Sequence, residues 1–206
     1  MKAKGTFLMV AGLGLILAAG GLMAYNSWDD ARAGEASQTV VQALEEVIVP
    51  QETVPAVELE KLPVINQPDY FLFPDMEMPI VTVDGMDYVG ILSIPALGLE
   101  LPILSEWTNS GGRIAPCRYS GSLYTDDMVI AGHNYVQHFH DLKNLAQGDL
   151  VRFTDADGNQ FQFSVENIEV LPATAIDDMC ISEWDLTLFT CTYSGNDRVT
   201  IRCERV

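Results

Sequence analysis

Three regimes of hydrophobic and polar residues follow one another along the chain. From Phe7 to Tyr25 the sequence FLMVAGLGLILAAGGLMAY carries no charge. That length suits a single helix across a hydrocarbon core of about 30 Å. Lys2 and Lys4 precede it, which predicts a cytoplasmic N-terminus and an extracellular remainder. A cleaved signal peptide is the alternative, with Ala31-Arg32-Ala33 as a small-x-small cleavage site. That site lies well beyond the apolar run, among Asp29, Asp30 and Arg32, so an uncleaved signal anchor is the preferred reading.

The second regime, residues 26–87, is polar and acidic, with prolines at 50, 55, 63, 68, 74 and 79. A partial apolar stripe of Val40, Val41, Ala43, Leu44, Val47 and Ile48 allows a helix over Ala36 to Val49. Beyond it the prolines favour an extended, semi-rigid spacer. The segment reads as an extracellular stalk, with Phe71, Leu72 and Phe73 apolar enough to pack on the domain that begins near Tyr88.

From Tyr88 to Val206 the pattern changes to short apolar runs broken by turn formers. Val89 to Ile94 and Leu99 to Leu104 flank a turn at Pro95 to Gly98. Ser105 to Gly112 is loop or short helix, and Ile114 to Arg118 a further strand. Met128 to Ala131 is a short buried strand that stops at Gly132-His133-Asn134. Phe139 to Ala146 suits a short helix ended by Gly148. Leu150 to Thr154 and Phe161 to Val170 flank Asp155-Ala156-Asp157-Gly158-Asn159, a strong hairpin signal. Pro172 to Glu183 has little pattern of its own. Leu186 to Cys191 and Val199 to Cys203 form a closing hairpin around Thr192 to Asp197. About eight short strands with few helical residues predict an all-β domain, a closed or nearly closed eight-stranded barrel.

Charge and cysteine usage narrow the functions open to such a barrel. Among 206 residues, 29 acids face 11 basic residues, for a net charge of -18. This argues against a nucleic-acid partner, which needs a basic surface. Four cysteines, at 117, 180, 191 and 203, show no CxxC spacing, so neither a zinc site nor a redox motif is indicated. Cys117, Cys180 and Cys203 read as packed or idle thiols, although an oxidising exterior would permit a disulfide. His138 and His140 are two apart, which denies them a common helical face for metal binding, and both read as surface or loop histidines. Asp177, Asp178 and Glu183 are acidic oxygens of the kind calcium takes, but solvated loop acids are the plainer reading. No metal and no cofactor is assigned.

The closing hairpin carries the candidate chemistry. Cys191 ends one strand and Arg198 opens the next, which sets them side by side across the loop mouth. A neighbouring guanidinium favours a thiolate and can hold an oxyanion. His133 follows its own strand and a glycine, on a loop at a strand end. Nucleophilic catalysis at an acyl carbon needs a thiolate, a proton carrier and an oxyanion donor; Cys191, His133 and Arg198 meet those needs in that order. Alternation puts Arg202 on the face of Arg198 but roughly 13 Å further along at about 3.3 Å per residue, and Arg205 on the other face. Arg198 is therefore preferred.

Thr187-Leu188-Phe189-Thr190-Cys191 resembles the TLxTC signature before the catalytic cysteine of sortases. Arg198 sits where that family has its arginine, and Ala131-Gly132-His133-Asn134 resembles its histidine segment. The resemblance covers about residues 88–206. It implies a membrane-anchored cysteine transpeptidase of Gram-positive-type bacteria that cleaves an LPxTG-like sorting signal on secreted proteins. Cys191 would form a thioester, His133 would move the proton, Arg198 would hold the oxyanion and Thr190 would touch substrate. A peptidoglycan precursor or a pilin lysine would supply the acceptor amine. Cys117 to Ser122 and His133 to Tyr135 are similar to class B members, whereas the short Leu171 to Asp185 connection resembles class D or another compact form. The implied division is 1–25 cytoplasmic tip and anchor, 26–87 stalk, 88–206 catalytic domain. The rival readings are a surface cysteine peptidase that only hydrolyses, and a membrane-tethered barrel that binds a ligand with Cys191 inert.

Overall fold

The structure is a computed structural model that describes residues 2–51, 67–108, 110–180 and 183–206. The spacer expected around Pro55 and Pro63 lies outside the described residues. Two compact units are present, 1–32 and 33–206, and each is taken by itself.

The first unit is helical throughout its described length, and helix α1 (Lys2–Glu45) begins in it. Among the described residues this is the one helix long and apolar enough to cross a membrane. Its apolar side chains, Phe7 and Leu17 among them, are exposed.

The second unit is a barrel. Its strands are β1 (Val81–Val83), β2 (Met86–Ile94), β3 (Leu99–Leu104), β4 (Cys117–Ser120), β5 (Met128–Gly132), β6 (Leu150–Asp155), β7 (Gln160–Pro172), β8 (Leu186–Cys191) and β9 (Asp197–Arg205). The order β2-β3-β4-β5-β8-β9-β7-β6 closes through β6 pairing back onto β2, while β1 is a short extra edge on β2. Eight strands therefore complete the cylinder, as the pattern of short runs implied. Side chains alternate along the strands except at bulges in β2, β4 and β7, so roughly one in two points inward. The inward set, including Val89, Leu92, Ile103, Ile130, Phe153, Phe163, Leu188 and Ile201, forms the main core. Eight strands leave an interior that side chains just fill.

Two smaller apolar clusters cover the outside. Val40, Val41 and Leu44 of α1, with Ile48, lie on Tyr88, Ile91, Leu104, Ala115 and Cys117. Ala33, Ser37, Val40, Val41, Leu44 and Ile48 are all buried, at the 3–4 residue spacing of an amphipathic helix. The compact unit thus begins at Ala33, well before Tyr88, and residues 33–48 and β1 belong to it rather than to a stalk. On another face Met179, from a short helix at Ile176–Cys180, covers Val129, Ala131 and Phe189. The connection before β8 is therefore more structured than its sequence pattern suggests.

Most connections in the barrel are antiparallel, but β5 and β8 run parallel. They end at the same rim of the cylinder, and this decides where the chemistry gathers.

Candidate active site

Parallel pairing puts Gly132 opposite Thr190 at the ends of β5 and β8. The next residues on those adjacent strands are His133 and Cys191. Neighbouring strands stand about 4.8 Å apart, so imidazole and thiol leave the rim side by side. The antiparallel pair β8–β9 then places Cys191 directly across from Arg198. Alternation sends Leu188, Ile130 and Ile201 into the core; counting on from them, Cys191, His133 and Arg198 all face outward. One register thus brings together the three side chains that stand 58 and 7 residues apart along the chain.

The rim is fixed by hydrogen bonds beneath it. Thr190 is 2% exposed, and its hydroxyl donates to the Gly132 carbonyl at 2.8 Å. Its side chain thus clamps the strand of His133 to the strand of Cys191 from inside, and the structure does not bring it to the surface with the other three. The β8–β9 loop is closed by the Thr192 amide donating to the Asp197 carbonyl at 2.9 Å. The Arg198 guanidinium donates to the carbonyls of Gly195 and Asp197, each at 3.0 Å. It is held over its own loop by acceptors that carry no charge.

His133 sits among aromatic rings. Trp107 and Tyr135 lie 5.4 and 5.5 Å from it, centroid to centroid, both tilted. Gly112 passes so close that a β-carbon there would sit 3.3 Å from His133 Nε2 and 3.0 Å from Trp107 Cη2. A side chain there would crowd both rings, which would have to give by a few tenths of an ångström. Trp107 and Gly112 carry no recognisable signal in the sequence, because nothing local says which groups meet across 20 or more residues.

The other cysteines differ in setting. All four thiols are free. Burial pushes Cys117 up to about 11 and Cys203 up to about 12, so both are inert at neutral pH. Cys191 is only partly buried, at a rim that a substrate can reach.

His138 departs from expectation. It is fully buried, its Nε2 lies 3.0 Å from the Ser37 hydroxyl, and burial lowers its pKa to about 4. The two-residue spacing to His140 denies a shared face, but it gives no sign that one ring turns inward. His140 remains at the surface region, with Nδ1 at 3.0 Å from Asn134 Oδ1. Among the described residues no group of three or more His, Cys, Asp or Glu is placed to hold a metal ion.

The family model of the sortase domain matches residues 92–206. Sortase A of Bacillus anthracis is 27% identical over 186 residues, 86% of this chain and 83% of that protein. The structure is similar to that of a Clostridium perfringens sortase D5 transpeptidase, with TM-score 0.57 and 18% identity, covering 84% of this chain and 99% of that one. A C. perfringens sortase C, solved with the C-terminal cell wall sorting motif, gives TM-score 0.52 at 23% identity over 67% of this chain and 82% of that one. At these identities the solved structures speak for the fold.

Proposed function

Since this chain belongs to the sortase family of cysteine transpeptidases, we propose that it cuts an LPxTG-like sorting signal and transfers the secreted protein to an amine. The observation that carries the residue assignment is the shared rim: Gly132 opposite Thr190 and Cys191 opposite Arg198. The thiolate of Cys191 attacks the Thr-Gly carbonyl carbon, forming the S–C bond. The tetrahedral oxyanion is met by the guanidinium of Arg198, which leaves its neutral loop carbonyls for a charged acceptor. As the C–N bond breaks, His133 gives its proton to the departing amine, leaving a thioester on Cys191. The acceptor amine then attacks the thioester, His133 takes its proton, and the thiolate leaves. Thr190 acts from beneath by keeping the two strand ends in register.

The C-terminal cell wall sorting motif with which the C. perfringens sortase C was solved supports the substrate class proposed here. A peptidoglycan precursor or a pilin lysine supplies the amine. Phe7 to Tyr25 anchors the enzyme in the cell membrane, with the catalytic domain outside.

Mass spectrometry of products formed from a sorting-signal peptide, with and without an added amine, tests this reading. Wild type yields the amide product when amine is present; Cys191→Ala yields neither product. Full turnover by Cys191→Ala ends the proposal, and hydrolysis that never yields to amine replaces transfer with a peptidase.

A further inference from the structure

Ser37, on α1, reaches two stretches of chain that flank His133. Its hydroxyl donates to the Ile114 carbonyl at 2.6 Å. That carbonyl follows the 3-10 turn Gly111–Arg113, whose Gly112 lies under the His133 ring. The same hydroxyl oxygen is 3.0 Å from His138 Nε2. A hydroxyl has one proton to donate, and a carbonyl only accepts. The Ser37 proton is therefore spent on Ile114, and Nε2 of His138 carries the hydrogen that Ser37 accepts.

His138 closes the loop that His133 opens. Its amide donates to the Tyr135 carbonyl at 3.0 Å, and the Phe139 amide donates to the His133 carbonyl at 3.4 Å. Tyr135 stands between the two histidines, 5.5 Å from the ring of His133 and 5.4 Å from that of His138. The helix backbone also presses on this loop: a β-carbon at Gly34 would lie 2.6 Å from Gln137 Cγ. Ser37 is 1% exposed and His138 and Ala33 are 0% exposed, so water does not replace these contacts. Burying two polar side chains is costly unless they bond each other, and this bond sits where it sets a loop rather than in the barrel's apolar interior.

We propose that Ser37 and His138 are positioning residues: through one buried hydrogen-bonded junction, α1 fixes the loop that aims His133 at the rim. The inference rests on His133 as the proton carrier of the proposed transpeptidase mechanism. A peptide segment far from the thiol in sequence then governs proton transfer without touching substrate. The neutral, Nε2-protonated ring of His138 is the form the junction requires.

The test uses the full chain in detergent micelles and three variants, Ser37→Ala, Ser37→Thr and His138→Gln. Four readouts are taken: the NMR titration of the His133 ring, kcat and KM for transfer of a sorting-signal peptide to triglycine, alkylation of Cys191 by iodoacetamide, and the melting temperature. Ser37→Ala is expected to shift the His133 titration and to lower kcat about tenfold with KM within about twofold, since misplacement of a reacting group by ~1 Å can cost up to ~100-fold. Cys191 alkylation stays near the wild-type rate. Ser37→Thr, which keeps the hydroxyl, restores kcat and titration; His138→Gln, which keeps a donor, falls between. An unchanged His133 titration with unchanged kcat overturns the proposal. So does a loss of kcat that follows melting temperature and is not rescued by Thr. If Cys191→Ala keeps its turnover, the transpeptidase reading fails, while the His133 titration still decides whether Ser37 positions that ring.

Discussion

Arg198 and Arg202 stand on one strand, face the same side, and differ in almost everything else. Arg202 is 3% exposed. Its guanidinium meets Glu169 Oε1 at 2.8 Å, donates to the Thr187 hydroxyl at 3.0 Å and to the carbonyls of Asp178 at 2.5 Å and Met179 at 3.3 Å. Arg198 holds two carbonyls of its own loop and is partly open to solvent. Arg202 spends its charge on a carboxylate and its fork on the Ile176–Cys180 helix, which in turn covers Ala131 and Phe189. Among the described residues no carboxylate forms an ion pair with Arg198 at the rim. The same side chain is structural at one end of a strand and available for chemistry at the other, and the difference lies in the partners that the barrel's outer layer supplies.

That contrast can be broken at either arginine. On stability the largest effect is expected from Arg202→Ala, which strands a half-buried Glu169 and frees the helix over the β5–β8 floor; the loss is about 3 kcal/mol, read by denaturant unfolding. Arg198→Ala should leave the unfolding midpoint nearly unchanged and lower kcat by about 10²- to 10³-fold, the usual cost of one oxyanion donor. If Arg202→Ala instead cut kcat with no loss of stability, the assignment of roles to the two arginines would be reversed. Thr190→Val removes the clamp to Gly132 and should cost about 1 kcal/mol, with a small fall in kcat from loosened register, measured on the same preparation.

The last effect is a pH dependence. His138 is depressed from 6.5 to about 4 in the folded chain, by burial first and by the nearby His133 as well. Between those values the unfolded chain takes up a proton that the folded chain refuses. Its contribution to stability is therefore complete above about pH 6.5 and is lost as pH falls towards 4. Melting temperatures of wild type and His138→Gln, compared at pH 7 and pH 4.5, isolate this share from the common titration of the carboxylates. Wild type should lose more.

Much of the barrel is legible in the sequence because inward residues repeat every second position, and the hairpins announce themselves at Asp157-Gly158 and Ser194-Gly195-Asn196. Cys191, His133 and Arg198 are legible because strand ends are visible in sequence, alternation gives the face of Arg198, and the segments ending at Cys191 and around His133 resemble sortase motifs. The start of the compact unit is not. The stripe Val40, Val41, Leu44, Ile48 is plain in the sequence, but periodicity does not name the surface it will meet, and the prolines and acids around it mimic a linker. The burial of His138 is hidden for the same reason: it comes from Ser37, which is 101 residues away along the chain. Arg202 falls on its correct face by alternation, yet its carboxylate partner stands 33 residues back on β7.

The parallel pairing of β5 and β8 has a kinetic consequence. The Thr190 to Gly132 contact spans 58 residues, and β6 and β7 must be laid down between its ends. Contacts of such long separation are slow to form, since the intervening chain must be ordered before they return any stabilisation. Cys191 and His133 therefore come side by side only when this long-range pairing forms. Under the roles proposed for Cys191 and His133, turnover recovered on refolding should appear no earlier than the native tryptophan fluorescence of a variant that keeps Trp107 as its one tryptophan.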